Sequence, residues 1–183
     1  MTGHGIGSAL MMSACRAYAR AGLATEPDAQ TLLNHLNPLL HYDLPAEKFV
    51  TFAVALVDPR FGAADLISAG HGPLLFYSAA EDSFHSFEAQ GPPLGLLPRI
   101  PYGDAEKLKF ERGDILLLVT DGFFEFADAA DEQFGAERVQ AVIRANRDKS
   151  PAEMISELHS AVVKFAASAP QLDDLTALLV KKV

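Results

Sequence analysis

The chain has almost nothing with which to form a disulfide, grip a nucleic acid or cross a membrane. One cysteine, Cys15, stands among 183 residues, so no intramolecular disulfide can form. Its place in an apolar helical pattern reads as buried filler rather than a catalytic thiol. Tryptophan is absent, and Lys and Arg number 15 against 24 Asp and Glu, a formal charge of −9. Without any basic run, nucleic acid is not an expected partner. No segment approaches the roughly twenty apolar residues of a membrane span. The start also lacks the basic region and long apolar stretch of a signal peptide, so a cytoplasmic protein is expected.

What is present describes an ordinary globular protein. Apolar residues make up 49% and charged residues 21%, and the length suits a single domain over 1–183 with a sizeable core. Residues from Ser8 to about Leu23 follow the helical i, i+3, i+4 pattern. Thr25-Glu26-Pro27-Asp28 supplies a cap signal for a second helix, whose face is Leu32, Leu33, Leu36 and Leu40 and which Pro38 should kink or end. From Phe49 the period changes to two, giving a strand and, across Asp58-Pro59-Arg60-Phe61-Gly62, its hairpin return at Ala64–Ser68. Further strands are expected at Leu74–Tyr77, Phe84–Phe87, Lys107–Glu111, Ile115–Thr120 and Leu175–Lys182, with Arg112-Gly113-Asp114 as the turn between the third and fourth of these. Helices are expected over Ala136–Asn146 and after Ser150-Pro151-Ala152-Glu153, a capping-box sequence with Pro at the first helical position. Helices, then strands, then helices and a last strand predict an α+β fold with a mainly antiparallel sheet.

The chemistry concentrates at two acidic corners. Asp121-Gly122 follows the apolar run Ile115–Thr120, and Asp173-Asp174 precedes the apolar run Leu175–Val180. If these runs are antiparallel neighbours, the carboxylates meet at one sheet edge. Clustered acids without a basic partner call for a cation, and hard carboxylate oxygens favour Mg²⁺, Mn²⁺ or Ca²⁺. Taken singly, each pair reads equally as a turn or a polar strand stop. Glu125 and Asp128 lie just beyond Asp121 and suit either a supporting role or a solvated surface. Gly3-His4-Gly5-Ile6-Gly7 could cradle a phosphate at a helix start or merely lead into the helix, and it has neither Walker nor dinucleotide spacing. His71, between two glycines, is a ligand or acid candidate, with a structural histidine in a tight turn as the plainer reading. The six histidines show no paired metal spacing, which disfavours zinc, and no nucleophile elbow is present.

Taken together, several segments resemble the SpoIIE-like branch of the metal-dependent protein phosphatases, the type 2C superfamily. They are Thr2-Gly3-His4-Gly5; Phe49-Val50-Thr51-Phe52; Ser68-Ala69-Gly70-His71-Gly72-Pro73; Gly91-Pro92-Pro93-Leu94-Gly95; Gly113-Asp114 with Thr120-Asp121-Gly122 and Glu125; Phe134-Gly135; and Asp173-Asp174-Leu175-Thr176. They fall in family order over nearly the whole chain. The resemblance implies an α-β-β-α sandwich of antiparallel sheets flanked by helices, and two Mn²⁺ or Mg²⁺ ions serving phosphoserine or phosphothreonine hydrolysis. It implies Asp121 and Asp173 as metal ligands with Asp174 adjacent, Gly3 and Gly5 near the phosphate, and His4 as a general acid or a loop-shaping residue. The substrate implied is a phosphorylated anti-sigma-factor antagonist, and an upstream sensor or receiver domain is the usual companion.

The family pattern reads Asp-x-[Ser/Thr]-Gly-His-Gly, and here Met1 stands at its second position. The expectation is therefore the C-terminal portion of a phosphatase domain lacking the family's first strands and its bridging Asp. Weak metal binding, poor turnover and a homodimer through an uncovered apolar edge are expected to follow. A catalytically impaired pseudophosphatase or regulatory protein-binding module is the alternative.

Overall fold

The computed structural model describes residues 5–26, 28–167, 169–171 and 173–183. In chain order the elements are α1 (Ile6–Gly22), α2 (Ala29–Asp43), β1 (Phe52–Asp58), β2 (Ala63–Ala69), β3 (Leu74–Ser78), β4 (Ser83–Phe87), β5 (Glu106–Lys109), β6 (Ile115–Val119), α3 (Gly122–Glu125), α4 (Gly135–Ala145), α5 (Pro151–Ala166) and β7 (Ala177–Lys181). Every pairing between these strands is antiparallel, so the α+β class read from the element order holds. The chain forms two compact units. One contains the residues up to His71 together with Glu88–Lys109, and the other contains Gly72–Phe87 and Phe110–Val183.

The first unit carries a sheet of order β1-β2-β5. Its helices pack through the apolar stripe of α2: Leu32, Leu33, Leu36 and Leu40 are buried with Cys15 and Ala19 of α1 and Ile67 of β2. The cap of α2 is Asp28, not Thr25, because the Asp28 carboxylate accepts from the Thr31 backbone N–H at 2.7 Å. Pro38 does not end the helix, which runs on to Asp43. Proline removes one helical hydrogen bond, but buried Leu36 and Leu40 anchor the helix on either side of it. Asn37, also buried, adds side-chain bonds to Leu97 O at 2.9 Å and from Gly95 N–H at 2.9 Å.

The second unit carries a sheet of order β4-β3-β6-β7. Its core joins Leu75 and Tyr77 of β3, Ile115, Leu117 and Val119 of β6, Val139 and Ile143 of α4, and Met154, Leu158 and Val162 of α5. The capping box of α5 forms as its sequence predicts. Ser150 Oγ accepts from Glu153 N–H and the Glu153 carboxylate accepts from Ser150 N–H. The turn at Arg112-Gly113-Asp114 does not make a hairpin, however. β5 pairs with β2 in the first unit's sheet, whereas β6 pairs with β3 and β7. Asp114 is what shapes this turn. It is 3% exposed, and its carboxylate accepts from Ala79 N–H at 2.8 Å and Glu111 N–H at 2.7 Å.

Candidate active site

The two acidic corners meet because β6 and β7 are antiparallel neighbours. Their register runs from Ile115 opposite Lys181 to Val119 opposite Ala177. The end of β6 and the start of β7 therefore share one edge of the second unit's sheet. Thr120 fastens that edge. Its backbone N–H donates to Thr176 O at 3.0 Å and its hydroxyl donates to Asp174 O at 2.8 Å. The same hydroxyl oxygen accepts from Thr176 N–H at 3.0 Å.

Just past Thr120 the chain turns directly into the single-turn helix α3. Asp121 is already helical, with φ −50° and ψ −32°, and its carboxylate makes no capping bond. Asp121 is exposed, as are Asp173 and Asp174. Gly122 is buried against the facing corner: a Cβ there would lie 2.6 Å from Asp174 O. No side chain larger than hydrogen fits between the corners without moving backbone. On the other side, Asp173 Oδ1 accepts from Asp174 N–H at 2.7 Å, and Asp173 O accepts from Gln171 Nε2 at 2.8 Å.

Beside this edge lies an open cleft of about 510 Å³ whose lining includes Gly122, Glu125, Phe126, Asp128, Asp131 and Asp173. Its outer wall is a short loop closed by the Ala127–Gln133 bridge. Asp128 organises that loop from inside, accepting from Ala130 N–H at 2.8 Å and Glu132 N–H at 3.0 Å. Arg138 ties it down from α4. The guanidinium bonds Gln133 O and Phe134 O, each at 3.1 Å, pairs with Glu132, and stacks 4.6 Å above the Phe165 ring.

Among the described residues, Asp121, Glu125, Asp128, Asp131, Asp173 and Asp174 have no Lys, Arg or His ion-pair partner. A donor set made only of carboxylate oxygens suits a hard cation. Yet among the described residues no three His, Cys, Asp or Glu side chains gather closely enough to enclose an ion on their own. That combination fits Mg²⁺-like sites, in which one or two carboxylates serve and water and substrate phosphate complete the sphere.

Other residues of interest behave differently. Gly3 and His4 lie outside the described residues. Gly5 belongs to the first unit, where it precedes α1 at φ +91° with open space around it. His71 sits in a tight turn, but it is the backbone that is held: its N–H donates to Ser68 Oγ at 3.0 Å, and its carbonyl accepts from the Ser68 hydroxyl. Gly70 before it has φ +66° and no room for a Cβ against Pro93. Sequence reasoning missed Thr120 as a clasp, Asp131 and Arg138. Only Thr120 left a signal, as a lone hydroxyl between an apolar strand and Asp121.

Solved structures share this fold. The SiaA-PP2C domain of Pseudomonas aeruginosa superposes with a TM-score of 0.82 over 98% of this chain and 71% of that chain, at 19% identity. The PP2C phosphatase domain of SpoIIE from Bacillus subtilis, solved with a fragment of its regulatory domain, gives 0.78 over 98% of this chain and 52% of that chain, at 18% identity. The sequence profile of Stage II sporulation protein E (SpoIIE) matches residues 1–183, and the chain belongs to the SpoIIE family. A curated relative is the phosphoserine phosphatase RsbU of Bacillus subtilis (strain 168), 29% identical over 184 residues and 98% of this chain. The chain spans 53% of the length of that relative. Among the described residues, no helix is long and apolar enough to cross a membrane.

Proposed function

We propose that this chain is the catalytic part of a bacterial signalling phosphatase that hydrolyses phosphoserine or phosphothreonine in a protein substrate with Mn²⁺ or Mg²⁺. The carrying observation is the clasped acidic edge: Asp121 and the Asp173–Asp174 pair, without a basic ion-pair partner among the described residues, beside an open cleft. Family membership supports the same reading, since the relative RsbU is named a phosphoserine phosphatase.

In this reading Asp121 and Asp173 hold two metal ions, with Asp174 beside them. Bound there, the ions would supply charge neutralisation for the phosphoryl oxygens and a more acidic water. The chain's own contribution is placement. Thr120 fixes the separation of the corners, Gly122 allows their close approach, and the Asp128 loop braced by Arg138 forms the wall that receives the peptide. Gly3 and Gly5 offer backbone N–H groups to phosphate, and His4 is the general-acid candidate. The substrate is of the phosphorylated anti-sigma-factor-antagonist type, and the parent protein carries an upstream sensor or receiver domain and acts in the cytoplasm.

A second reading, a catalytically impaired regulatory module on the same fold, is favoured by one observation: no three ligating side chains gather among the described residues. One experiment separates the two. A phosphoserine peptide is incubated with the chain, with Asp121→Asn and with Asp173→Asn across a Mn²⁺ titration, and Mn²⁺ binding is followed by calorimetry. The phosphatase reading expects metal-dependent turnover that falls about a hundredfold or more in either variant, as for loss of a group that stabilises the transition state. Absence of turnover at any metal concentration in a folded chain would leave the regulatory reading standing.

A further inference from the structure

The cleft beside the acidic edge is much larger than a phosphoryl group needs. At about 510 Å³ it falls within the range of pockets that enclose drug-sized ligands. Asp173 lines it at the acidic edge, and Asp128, Ala129 and Asp131 line it from the 127–133 loop. With the phosphoryl group at the edge, a small phosphate ester meets only the first of these walls. A polypeptide has to lay the residues beside its phosphoserine along the second.

The shape of that loop and its position have different causes. Its shape is internal. Asp128 N–H donates to Glu132 O at 3.0 Å, Asp131 N–H to Asp128 O at 3.1 Å and Phe134 N–H to Phe126 O at 2.8 Å. Together with the Asp128 carboxylate, these bonds close the turn on itself. At the foot of the loop Phe134 is buried and meets the Phe165 ring edge-on, with centroids 5.4 Å apart. Beyond that foot, the side-chain bonds that reach the loop from outside, among the described residues, are those of Arg138 on α4. Its guanidinium lies 4.6 Å over the same Phe165 ring while its N–H groups reach Gln133 O, Phe134 O and the Glu132 carboxylate. A planar fork can do both at once, because its face packs on a ring while its edge donates.

Neither Arg138 nor Glu132 lines the cleft. Any effect they have on a bound peptide therefore passes through the loop.

We propose that Arg138 is a positioning residue for substrate selection. By clamping the 127–133 loop to the Phe165 ring of α5, it holds the cleft wall where a peptide fits. The chain thereby favours phosphoserine within a polypeptide over small phosphate esters. The proposal rests on the phosphatase reading of the acidic edge, and it adds what tells one substrate from another.

The test compares a peptide carrying a central phosphoserine with p-nitrophenyl phosphate, both at saturating Mn²⁺. The quantity read is the ratio of kcat/KM for the peptide to kcat/KM for the ester. Arg138→Met keeps the length of the side chain and removes every N–H. Its ratio is expected to fall about tenfold or more, with the loss carried by KM for the peptide. Arg138→Lys keeps a charge for Glu132 without the fork, and is expected to recover only part of the ratio. Glu132→Gln removes only the ion pair, which is largely exposed, and is expected to lower the ratio in the same direction by less. Circular dichroism and a thermal melt confirm that each variant is folded. Should Arg138→Met fail to fold, the direction of the change in Glu132→Gln decides the matter. A ratio that stays at the wild-type value overturns the proposal, whether both substrates are untouched or both slow together, and leaves Arg138 a purely structural brace. So does a fall carried by kcat. A wild type that turns over neither substrate overturns the phosphatase reading, and the proposal with it.

Discussion

The hydroxyl of Thr120 and the backbone of Thr176 close the β6–β7 pair reciprocally. Thr120 N–H donates to Thr176 O, and Thr176 N–H donates back to Thr120 Oγ1, both at 3.0 Å. Because the same hydroxyl also donates to Asp174 O, one side chain sets the distance between the two acidic corners.

Thr120→Val keeps the shape and removes the hydroxyl. Thr176 N–H and Asp174 O then lose their partner, and stability in urea denaturation is expected to fall by about 1–2 kcal/mol. Mn²⁺ affinity measured by calorimetry is expected to drop in the same variant. Thr120→Ser, which restores the hydroxyl, is expected to recover both.

Gly122→Ala pits local preference against contact. Alanine is favoured over glycine inside a helix by about 1 kcal/mol. A Cβ at this position, however, meets the Asp174 carbonyl oxygen at 2.6 Å, and backbone cannot swing aside as a side chain can. The variant is expected to be destabilised by about 1–3 kcal/mol, as for overpacking. A melting temperature above wild type would show that the corners are not in contact.

Tyr102 is 2% exposed, its ring packs over Gly91, and its hydroxyl donates to Pro92 O at 3.0 Å. Burial pushes its ionisation from 10.0 up to about 12. The sign follows from linkage: stability from the neutral phenol is full below pH 10 and is lost as pH rises toward 12. Chemical denaturation at pH 9 and pH 11 should therefore show a loss in wild type that is smaller in Tyr102→Phe.

At the acid end, Glu153 is held below its ordinary value by the Ser150 hydroxyl and then by the Ser150 backbone N–H. A lowered carboxylate contributes stability above the ordinary carboxylate range, and that contribution is lost as pH falls through the lowered value. Ser150→Ala is expected to cost about 1 kcal/mol at pH 7 as a lost N-cap. The gap to wild type should narrow toward pH 3 in the same denaturation assay.

The parts of this molecule that announce themselves in sequence are those whose cause is local. Ile115–Val119 is an apolar run with Asp121 just beyond it and Ala177–Val180 one with Asp173 and Asp174 just before it, so both strands and their acidic corners could be read directly, and Ser150–Glu153 spells its own cap. Strand partnership has no such local cause. Glu106–Lys109 and Ile115–Val119 lie across a short turn, as in a hairpin, yet join different sheets, because pairing is decided by which distant strand offers a matching face. Pro38 misleads for a related reason: its helix runs on to Asp43, held in part by Asn37 side-chain bonds to the backbone of a distant loop at Gly95 and Leu97. The cleft wall was illegible because its order comes from backbone N–H groups converging on Asp128 and from one arginine on a later helix.

The way the chain divides between its two units also governs how it can be made. It passes from one unit to the other after His71, after Phe87 and after Lys109. A ribosome therefore finishes the β3–β4 hairpin before it has made β5, the last strand of the first unit, and long before it makes β6 and β7. The hairpin must wait with its β6-facing edge bare until Ile115–Val119 emerges. For the same reason no single cut by a protease can set either unit free, because each is tied to the other by more than one passage of the backbone.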